Sequence, residues 1–188
     1  EVIIGINFDQ DALKILKRKK NLRLIDASNF THSEILKFTS TNDNILVQSE
    51  DKKMFKRNDF KIVSKKKPSI SLFNDLIFAF NICRYVKSNA IVLASNKSTL
   101  GIGCGQTSRL DSCQIAIDKM KKFTKPSKDI VAASDAFFPF TDGIEKLVQS
   151  GVKAVIQPAG SIKDKEVIKF ANETGTILVF SKTRHFRH

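Results

Sequence analysis

The last third of the sequence alternates between apolar runs and amphipathic segments, and this alternation constrains the fold more than any other feature. The runs at 130–133, 152–156 and 176–180 are typical of buried strands, and the segments from about 142 and over 164–173 are typical of helices. Gly151 and Gly175 stand where helices commonly end. Strand–helix–strand units need right-handed crossovers between parallel strands. The pattern therefore predicts an α/β fold with a mixed, largely parallel sheet flanked by helices.

The middle of the chain predicts the elements that precede this alternation. Apolar residues recur at helical spacing after Pro68, and a turn pair separates two short apolar runs further on. We expect, in order, a core helix over about 70–87, a strand at 90–94, a turn at 96–97, a strand at 99–103 and a helix from 107 or 108 to about 123.

The first 67 residues predict a separate part of the molecule. Strand patterns at 2–6 and 22–25 flank a helical segment that Asp9 or Asp11 can cap, and a further strand is expected at 45–48. The basic stretch that ends at 67 resembles an exposed linker. We therefore assign 1–67 to the end of one lobe and its linker, and 68–188 to a second lobe.

The chain carries a formal net charge of +13, and its distribution limits what that charge can mean. Residues 1–67 have 15 basic and 9 acidic side chains, giving +6, and residues 68–188 have 17 and 10, giving +7. The excess is spread out, and the chain has one Tyr and no Trp to stack on bases. A solvated Lys-rich surface or attraction of small anionic ligands explains the charge better than nucleic-acid binding does.

The cysteines and the apolar runs indicate the compartment. Cys83, Cys104 and Cys113 are odd in number and widely spaced, so we expect neither a disulfide framework nor a zinc site. Free thiols fit the reducing cytoplasm. No run reaches the length of a membrane span, and the first residues lack a signal peptide's basic start. Because Glu1 opens straight into a strand pattern, we expect the chain to be cut from a longer one.

Four segments could carry chemistry, and each also has a plain structural explanation. The glycine-rich segment 101–109 leads into a helix, so it can bind an anion or can only relieve close packing. In the segment 134–142, three Phe follow a strand, and they can form a slot for a heterocycle or fill the core. The basic tail at 184–188 can bind a phosphate or can be a frayed terminus. The Asn in the segment 87–89, just before a strand, can hold a ligand carbonyl or can satisfy the end of a helix. The segments are 101–109, 134–142, 184–188 and 87–89. Their chemistry alone indicates an α/β domain that binds a phosphorylated heterocycle.

These segments together resemble the transformylase part of the AICAR transformylase/IMP cyclohydrolase family. The resemblance rests on five motifs in the family's order, and it is weaker over 28–67. The motifs are Tyr85-Val-Lys-Ser-Asn89, Gly101-Ile-Gly-Cys-Gly-Gln-Thr-Ser-Arg109, Ser134-Asp-Ala-Phe-Phe-Pro-Phe140 with Asp142, Gln157-Pro-Ala-Gly-Ser161 and Arg184-His-Phe-Arg-His188. The family implies a lobe similar to cytidine deaminase without its zinc, and formyl transfer from 10-formyltetrahydrofolate to the 5-amino group of AICAR ribotide.

The resemblance also implies roles for individual residues. Asn89 would be catalytic, orienting the formyl or carboxamide oxygen. Phe137 would lie near the substrate base, with Arg184 at the substrate phosphate and His188 close by. The folate side would comprise Arg109, Phe140, Asp142 and Ser161. We expect no metal cofactor.

Two departures from the family pattern shape the functional expectation. The family's catalytic Lys-His pair and its cyclohydrolase domain would lie upstream of Glu1, so we expect this chain alone not to turn over. The transformylase site is implied to form across a homodimer. The alternatives are a non-catalytic nucleotide-binding domain and a nucleic-acid-binding protein, although we expect neither nucleic acid nor membrane as a partner.

Overall fold

The computed structural model describes residues 1–30, 36–123 and 128–187, and the chain divides into two compact units, Glu1–Glu50 and Asp51–His188. The sequence pattern placed the division after residue 67, whereas the second unit already begins at Asp51. The reason is a short strand, Phe60–Ile62, that pairs with the last strand of the chain.

The first unit contains a β-α-β motif and a hairpin. Its elements are β1 (Val2–Gly5), α1 (Gln10–Leu16), β2 (Arg23–Asp26), β3 (Leu36–Thr41) and β4 (Asn44–Ser49). β1 and β2 are parallel, and β3 and β4 are antiparallel. Asp9 caps α1 as predicted, because its Oδ1 accepts a hydrogen bond from the Ala12 amide at 2.7 Å. The expected strand at 45–48 is present, and β3 was not predicted.

The second unit is built on a six-stranded mixed sheet. Its elements are β5 (Phe60–Ile62), α2 (Ile70–Cys83), β6 (Ile91–Ser95), β7 (Ser98–Gly103), α3 (Arg109–Phe123), β8 (Ile130–Ser134), α4 (Asp142–Gln149), β9 (Val152–Pro158), α5 (Asp164–Glu173) and β10 (Ile177–Ser181), with a turn of 3-10 helix at Arg57–Asp59 before β5. The strand order is β5-β10-β9-β8-β6-β7. β8, β9 and β10 are mutually parallel, and β5 and β6 run antiparallel to their neighbours. Four of the six strands therefore point the same way, and the predicted mixed α/β sheet is confirmed.

Helices cover both faces of this sheet. On one face, α2 buries Phe80 against Val92 and its neighbours. On the other face, α3, α4 and α5 contribute Ile117, Leu147 and Val167 to a second apolar cluster. Strands buried on both faces read as unbroken apolar runs, which is why the pattern at 130–180 was so clear.

The β6–β7 hairpin turns where the sequence predicted. Asn96 and Lys97 have φ of 51° and 54°, the left-handed pair that a tight hairpin turn requires. The buried carboxylate of Asp75 on α2 accepts from both of their amides at 2.8 Å. This contact anchors the edge of the sheet that is remote from the predicted site.

The described parts of the chain bear on a membrane span and on a metal site. No helix there has the length and apolar character that crossing a membrane requires. Within the same residues, no group of three or more His, Cys, Asp or Glu side chains is arranged to hold a metal ion.

Candidate functional site

Five segments meet at one edge of the large sheet. β8, β9 and β10 are parallel, so the segments that follow them leave the sheet at the same edge. β7 points the same way and β6 the opposite way, which brings the segment after β7 and the segment before β6 to this edge as well. The five segments are 84–90, 104–109, 135–141, 159–163 and 182–187. The edge therefore collects every motif that the sequence singled out.

Arg109, the first residue of α3, is the hydrogen-bonding centre of this edge. Its Nη2 donates to Asn89 Oδ1 at 2.7 Å and to Asp135 Oδ1 at 2.9 Å. Its Nη1 donates to the main-chain oxygen of Phe137 at 3.3 Å. The side chain of Asp135 is 0% exposed and that of Arg109 is 12% exposed, so their ion pair is shielded from solvent. One guanidinium thus joins three of the five segments.

Asn89 holds the 104–109 segment in place. Its Nδ2 donates to the main-chain oxygens of Gln106 at 2.9 Å and Thr107 at 3.0 Å. Both amide hydrogens are therefore used within the protein. This differs from the expected role, in which the Asn89 amide orients a ligand oxygen. In this conformation the side chain offers a ligand only the second lone pair of Oδ1.

Close packing explains two glycines of the 101–109 motif. A Cβ on Gly101 would lie 2.1 Å from the Ala116 oxygen, and one on Gly103 would lie 1.9 Å from the Ser112 oxygen. α3 therefore rests directly on β7, and no larger residue fits at either position. Gly105 differs, because its φ of +68° supplies the turn that leads away from the strand.

Arg184 and Phe137, which the resemblance assigns to the nucleotide side, lie in contact. The Arg184 guanidinium carbon lies 4.7 Å from the centre of the Phe137 ring and 6.0 Å from that of Phe186. A Cβ on Gly160, whose φ is +110°, would lie 3.7 Å from Arg184 Nη2, so the loop after β9 is adjacent too. Arg184 is exposed, and no ion pair with an acidic side chain holds it among the described residues.

The three Phe after β8 have three different environments. Phe138 is buried in the core and would meet any Cβ added at Gly143. Phe137 is half-buried beneath Arg184, and Phe140 is 59% exposed. The core explanation therefore holds for Phe138 alone, and the other two rings remain accessible to a ligand.

Asp142 and Ser161 have no hydrogen bond to Arg109 in the described structure. Asp142 begins α4, and its Oδ1 accepts from the Gly143 amide at 2.7 Å. Ser161 Oγ accepts from the Lys163 amide at 3.1 Å, just before α5. His188 was assigned to the nucleotide side, and it lies outside the described residues.

His185 anchors the tail inside the second unit. It is 1% exposed and packs against Phe55 and Phe80, with ring centres 5.0 and 4.5 Å away. Burial lowers its pKa, and the Asp51 carboxylate opposes that shift. His185 is therefore neutral near pH 7, and its Nδ1–H donates to Asp51 Oδ2 at 2.5 Å. The main chain of Arg187 adds two bonds to Ser88.

The sequence left two buried polar residues of this edge without a role. Asp135 follows an entirely buried strand, and Gln157 lies within β9, where Lys153 is the one exposed residue. Asp135 Oδ2 and both side-chain amide atoms of Gln157 have no hydrogen-bond partner among the described residues. A charged or amide side chain inside or just after an all-apolar run was the signal that could have marked both.

Curated relatives match this chain along its whole length, and a family model matches its first 119 residues. A model of the AICARFT/IMPCHase bienzyme family matches residues 1–119. The chain is similar to the bifunctional purine biosynthesis protein PurH of Persephonella marina, with 44% identity over 190 residues that cover 100% of this chain and 36% of the relative. The protein of the same name from Aquifex aeolicus is 44% identical over 188 residues, with the same coverage. The chain thus spans little more than a third of the length of the curated relatives it matches.

A solved structure also shows some likeness. The apo dCMP deaminase of cyanophage S-TIM5 aligns with 60% of this chain and 97% of its own, at 19% identity and a TM-score of 0.40. A score of that size does not demonstrate a shared fold. The family model, by contrast, matches well over half of the residues. On that match, the chain belongs to the AICARFT/IMPCHase bienzyme family.

Proposed function

We propose that this chain is the C-terminal part of an AICAR formyltransferase and supplies binding walls for AICAR ribotide and 10-formyltetrahydrofolate. In this reaction, a step in purine (IMP) synthesis, the formyl group passes to the 5-amino group of AICAR ribotide. Membership of the bienzyme family and relatives named for purine biosynthesis support the proposal. Folate is a co-substrate here, and the proposal involves no metal.

The contact between Arg184 and Phe137 carries this assignment. A half-buried ring and an exposed guanidinium, 4.7 Å from the ring centre, offer a flat apolar surface next to a cation. A nucleotide presents a flat base and a phosphate, and Arg binds phosphate through charge-assisted hydrogen bonds. Because Arg184 has no acidic partner among the described residues, its charge is available to a ligand.

The folate side is proposed to lie around Arg109, Phe140, Asp142 and Ser161. Phe140 presents an exposed ring, which suits a flat pterin or benzoyl group. Arg109 would present only its 12% exposed edge. Its main contribution is to hold Asn89 and the Phe137 carbonyl oxygen.

The chemistry explains why binding and turnover can separate. An aryl amine that attacks a formyl carbon must lose a proton, and negative charge develops on the formyl oxygen. Asn89 Oδ1 has a lone pair that can accept a hydrogen bond from a ligand N–H, but an amide oxygen cannot act as the general base that removes the proton. We propose that the Lys-His pair of the family performs the proton transfers, and that this chain alone binds without turnover.

The complete protein is proposed to act as a homodimer with sites built across two subunits. The cytoplasm is the proposed compartment, because all three cysteines are free thiols. These assignments extend the family membership to parts of the protein beyond this chain.

Calorimetric titration of AICAR ribotide into this chain tests the proposal. Arg184→Ala should raise the Kd roughly tenfold to hundredfold, since a hydrogen bond to a charged group contributes about 1.5–3 kcal/mol. Lys182→Ala is the matched control, because Lys182 is another exposed cation after β10 and should leave the Kd unchanged. Equal effects of the two substitutions, or no binding to the unaltered chain, would refute the assignment.

A second titration addresses the nucleic-acid alternative. If the basic surface binds nucleic acid, affinity for random duplex DNA should fall steeply with salt and AICAR ribotide should not compete. We expect no binding above the weak non-specific level at 150 mM salt, about 10⁻⁴ M or weaker. Tight duplex binding without nucleotide competition would favour that alternative.

A further inference from the structure

Asp135 is a wholly buried carboxylate at the centre of the site edge. Its Oδ1 accepts from Arg109 Nη2 at 2.9 Å, and within the described part of the chain its Oδ2 has no hydrogen-bond partner. Its main-chain oxygen accepts from the His185 amide at 2.9 Å, and its own amide donates to the Ala90 oxygen at 3.2 Å. The residue therefore adjoins the segment before β6, the start of α3 and the tail.

Stability does not by itself explain a carboxylate in this place. Taking a carboxylate and a guanidinium out of water costs free energy that their attraction often only balances. Well-packed apolar residues of similar volume frequently serve as well. A buried pair of this kind instead fixes a geometry, because Arg presents its donors in a planar, rigid fork.

The fork of Arg109 transmits that geometry to two other residues. Arg109 Nη2 also donates to Asn89 Oδ1 at 2.7 Å, and Nη1 donates to the Phe137 oxygen at 3.3 Å. Asn89 in turn holds the main chain of Gln106 and Thr107. Rotation of the guanidinium would therefore displace two parts of the site together. One is Phe137, which faces the nucleotide base, and the other is the 104–109 loop, which leads to the folate side.

We propose that the Asp135 side chain is a positioning residue that orients Arg109. It thereby fixes the nucleotide-facing part of the site relative to the folate-facing part. The proposal rests on the proposed function for the identity of the two ligands. It does not require Asp135 to touch either ligand, and the carboxylate is fully buried.

Hydrogen exchange of single amides in Asp135→Asn tests this without any ligand. The Asn89 amide, bonded to the Gln106 oxygen, and the Gly105 amide, bonded to the Lys87 oxygen, report the state of the loop. We expect both amides to exchange at least about tenfold faster. The amide of Val155, in the central strand β9, should change less. An equal change at all these amides would indicate general destabilisation and overturn the proposal, as would unchanged exchange at Asn89 and Gly105.

Asp75→Asn is the matched control. Asp75 is likewise buried, at 3% exposure, and it accepts from the Asn96 and Lys97 amides at the opposite edge of the sheet. The control should speed hydrogen exchange at the Asn96 and Lys97 amides and leave the exchange rate of the Asn89 amide unchanged. If Asp135→Asn does not fold, Arg109→Lys addresses the same point, because it keeps the charge pair and loses the fork. Unchanged exchange at Asn89 in Arg109→Lys would overturn the proposal.

Ligand titrations complete the test. Asp135→Asn should weaken AICAR ribotide and 10-formyltetrahydrofolate by similar factors, roughly tenfold each, whereas Asp75→Asn should weaken neither. Loss of affinity for one ligand alone would contradict the proposal that Asp135 fixes the two parts of the site relative to each other. If the unaltered chain binds neither ligand, the proposed function fails, and the exchange experiment still decides whether Asp135 positions Arg109.

Discussion

His185 Nδ1 lies 2.5 Å from Asp51 Oδ2, so the tail of the chain is tied to the first residue of the second unit across 134 positions of sequence. Phe55 and Phe80 enclose the imidazole from two sides. The tail that carries Arg184 is therefore held by a buried, neutral histidine as well as by the sheet. This arrangement makes the stability of the unit depend on pH.

Burial holds the pKa of His185 below its ordinary value of about 6.5, and Asp51 and Asp135 partly oppose this shift. Since the unfolded chain binds the proton more readily, the free energy of unfolding should fall as pH drops below about 6.5, and level off below the folded-state pKa. We expect a loss in urea denaturation between pH 7.5 and 5.5, and linkage for a single group limits it to about 1.4 kcal/mol.

Two variants identify the group that titrates. His185→Gln should remove the slope in this window, although it lowers stability at every pH. Asp51→Asn should extend the window to lower pH, because the Asp51 charge raises the pKa of His185. A slope that persists in His185→Gln would assign the titration to another group.

The packing of α3 on β7 predicts that Gly103→Ala is costly. Its Cβ would lie 1.9 Å from the Ser112 oxygen, so the helix would have to shift, at roughly 1–3 kcal/mol or more. Gly175→Ala is the control, since φ is +66° and nothing lies within 4 Å, leaving only a backbone cost of about 1–2 kcal/mol. Equal losses of unfolding free energy in the two variants would show that α3 yields easily.

The Arg109–Asp135 pair predicts strong non-additivity. Arg109→Met should lower the free energy of unfolding by about 3–5 kcal/mol, because it leaves a buried carboxylate unpaired. Adding Asp135→Leu should restore part of that loss, since both charges are then gone. The measurement is a double-mutant cycle by urea denaturation, and strictly additive losses would show that the two charges do not interact.

Phe137 and Phe140 should be specific for different ligands. Phe137→Leu removes the ring below Arg184 and should weaken AICAR ribotide several-fold, with little effect on folate. Phe140→Leu changes a 59% exposed ring and should do the reverse. Each variant is the control for the other in paired calorimetric titrations, and identical profiles would place both rings at one ligand.

Much of the second unit could be predicted because its signals are local. The strands β8, β9 and β10 are buried on both faces and read as apolar runs, and the turn at Asn96-Lys97 and the cap at Ser108 are encoded by adjacent residues. β5 could not be predicted, since it has three residues and its pairing of Ile62 with Val179 depends on a strand far along the chain. Local patterns carry no information on such a partner.

The segments that meet at this edge could be predicted from the sequence, and most contacts between their side chains could not. Arg184 and Phe137 are in contact, and their assignment to the nucleotide side stays a prediction. The bonds that use both amide hydrogens of Asn89 depend on where α3 begins in space, and the pairing of His185 with Asp51 depends on the packing of the tail. Neither relationship follows from residue type or spacing.

Formyl transfer, followed as tetrahydrofolate release from 10-formyltetrahydrofolate and AICAR ribotide, tests the central claim most directly. The full-length Aquifex aeolicus relative should turn over, and alanine at its position aligned with Arg184 should lower kcat/KM at least about tenfold. This chain alone should release no tetrahydrofolate. Release by this chain alone would contradict the proposed separation of binding from proton transfer, and unimpaired turnover by the alanine variant of the relative would contradict the nucleotide site.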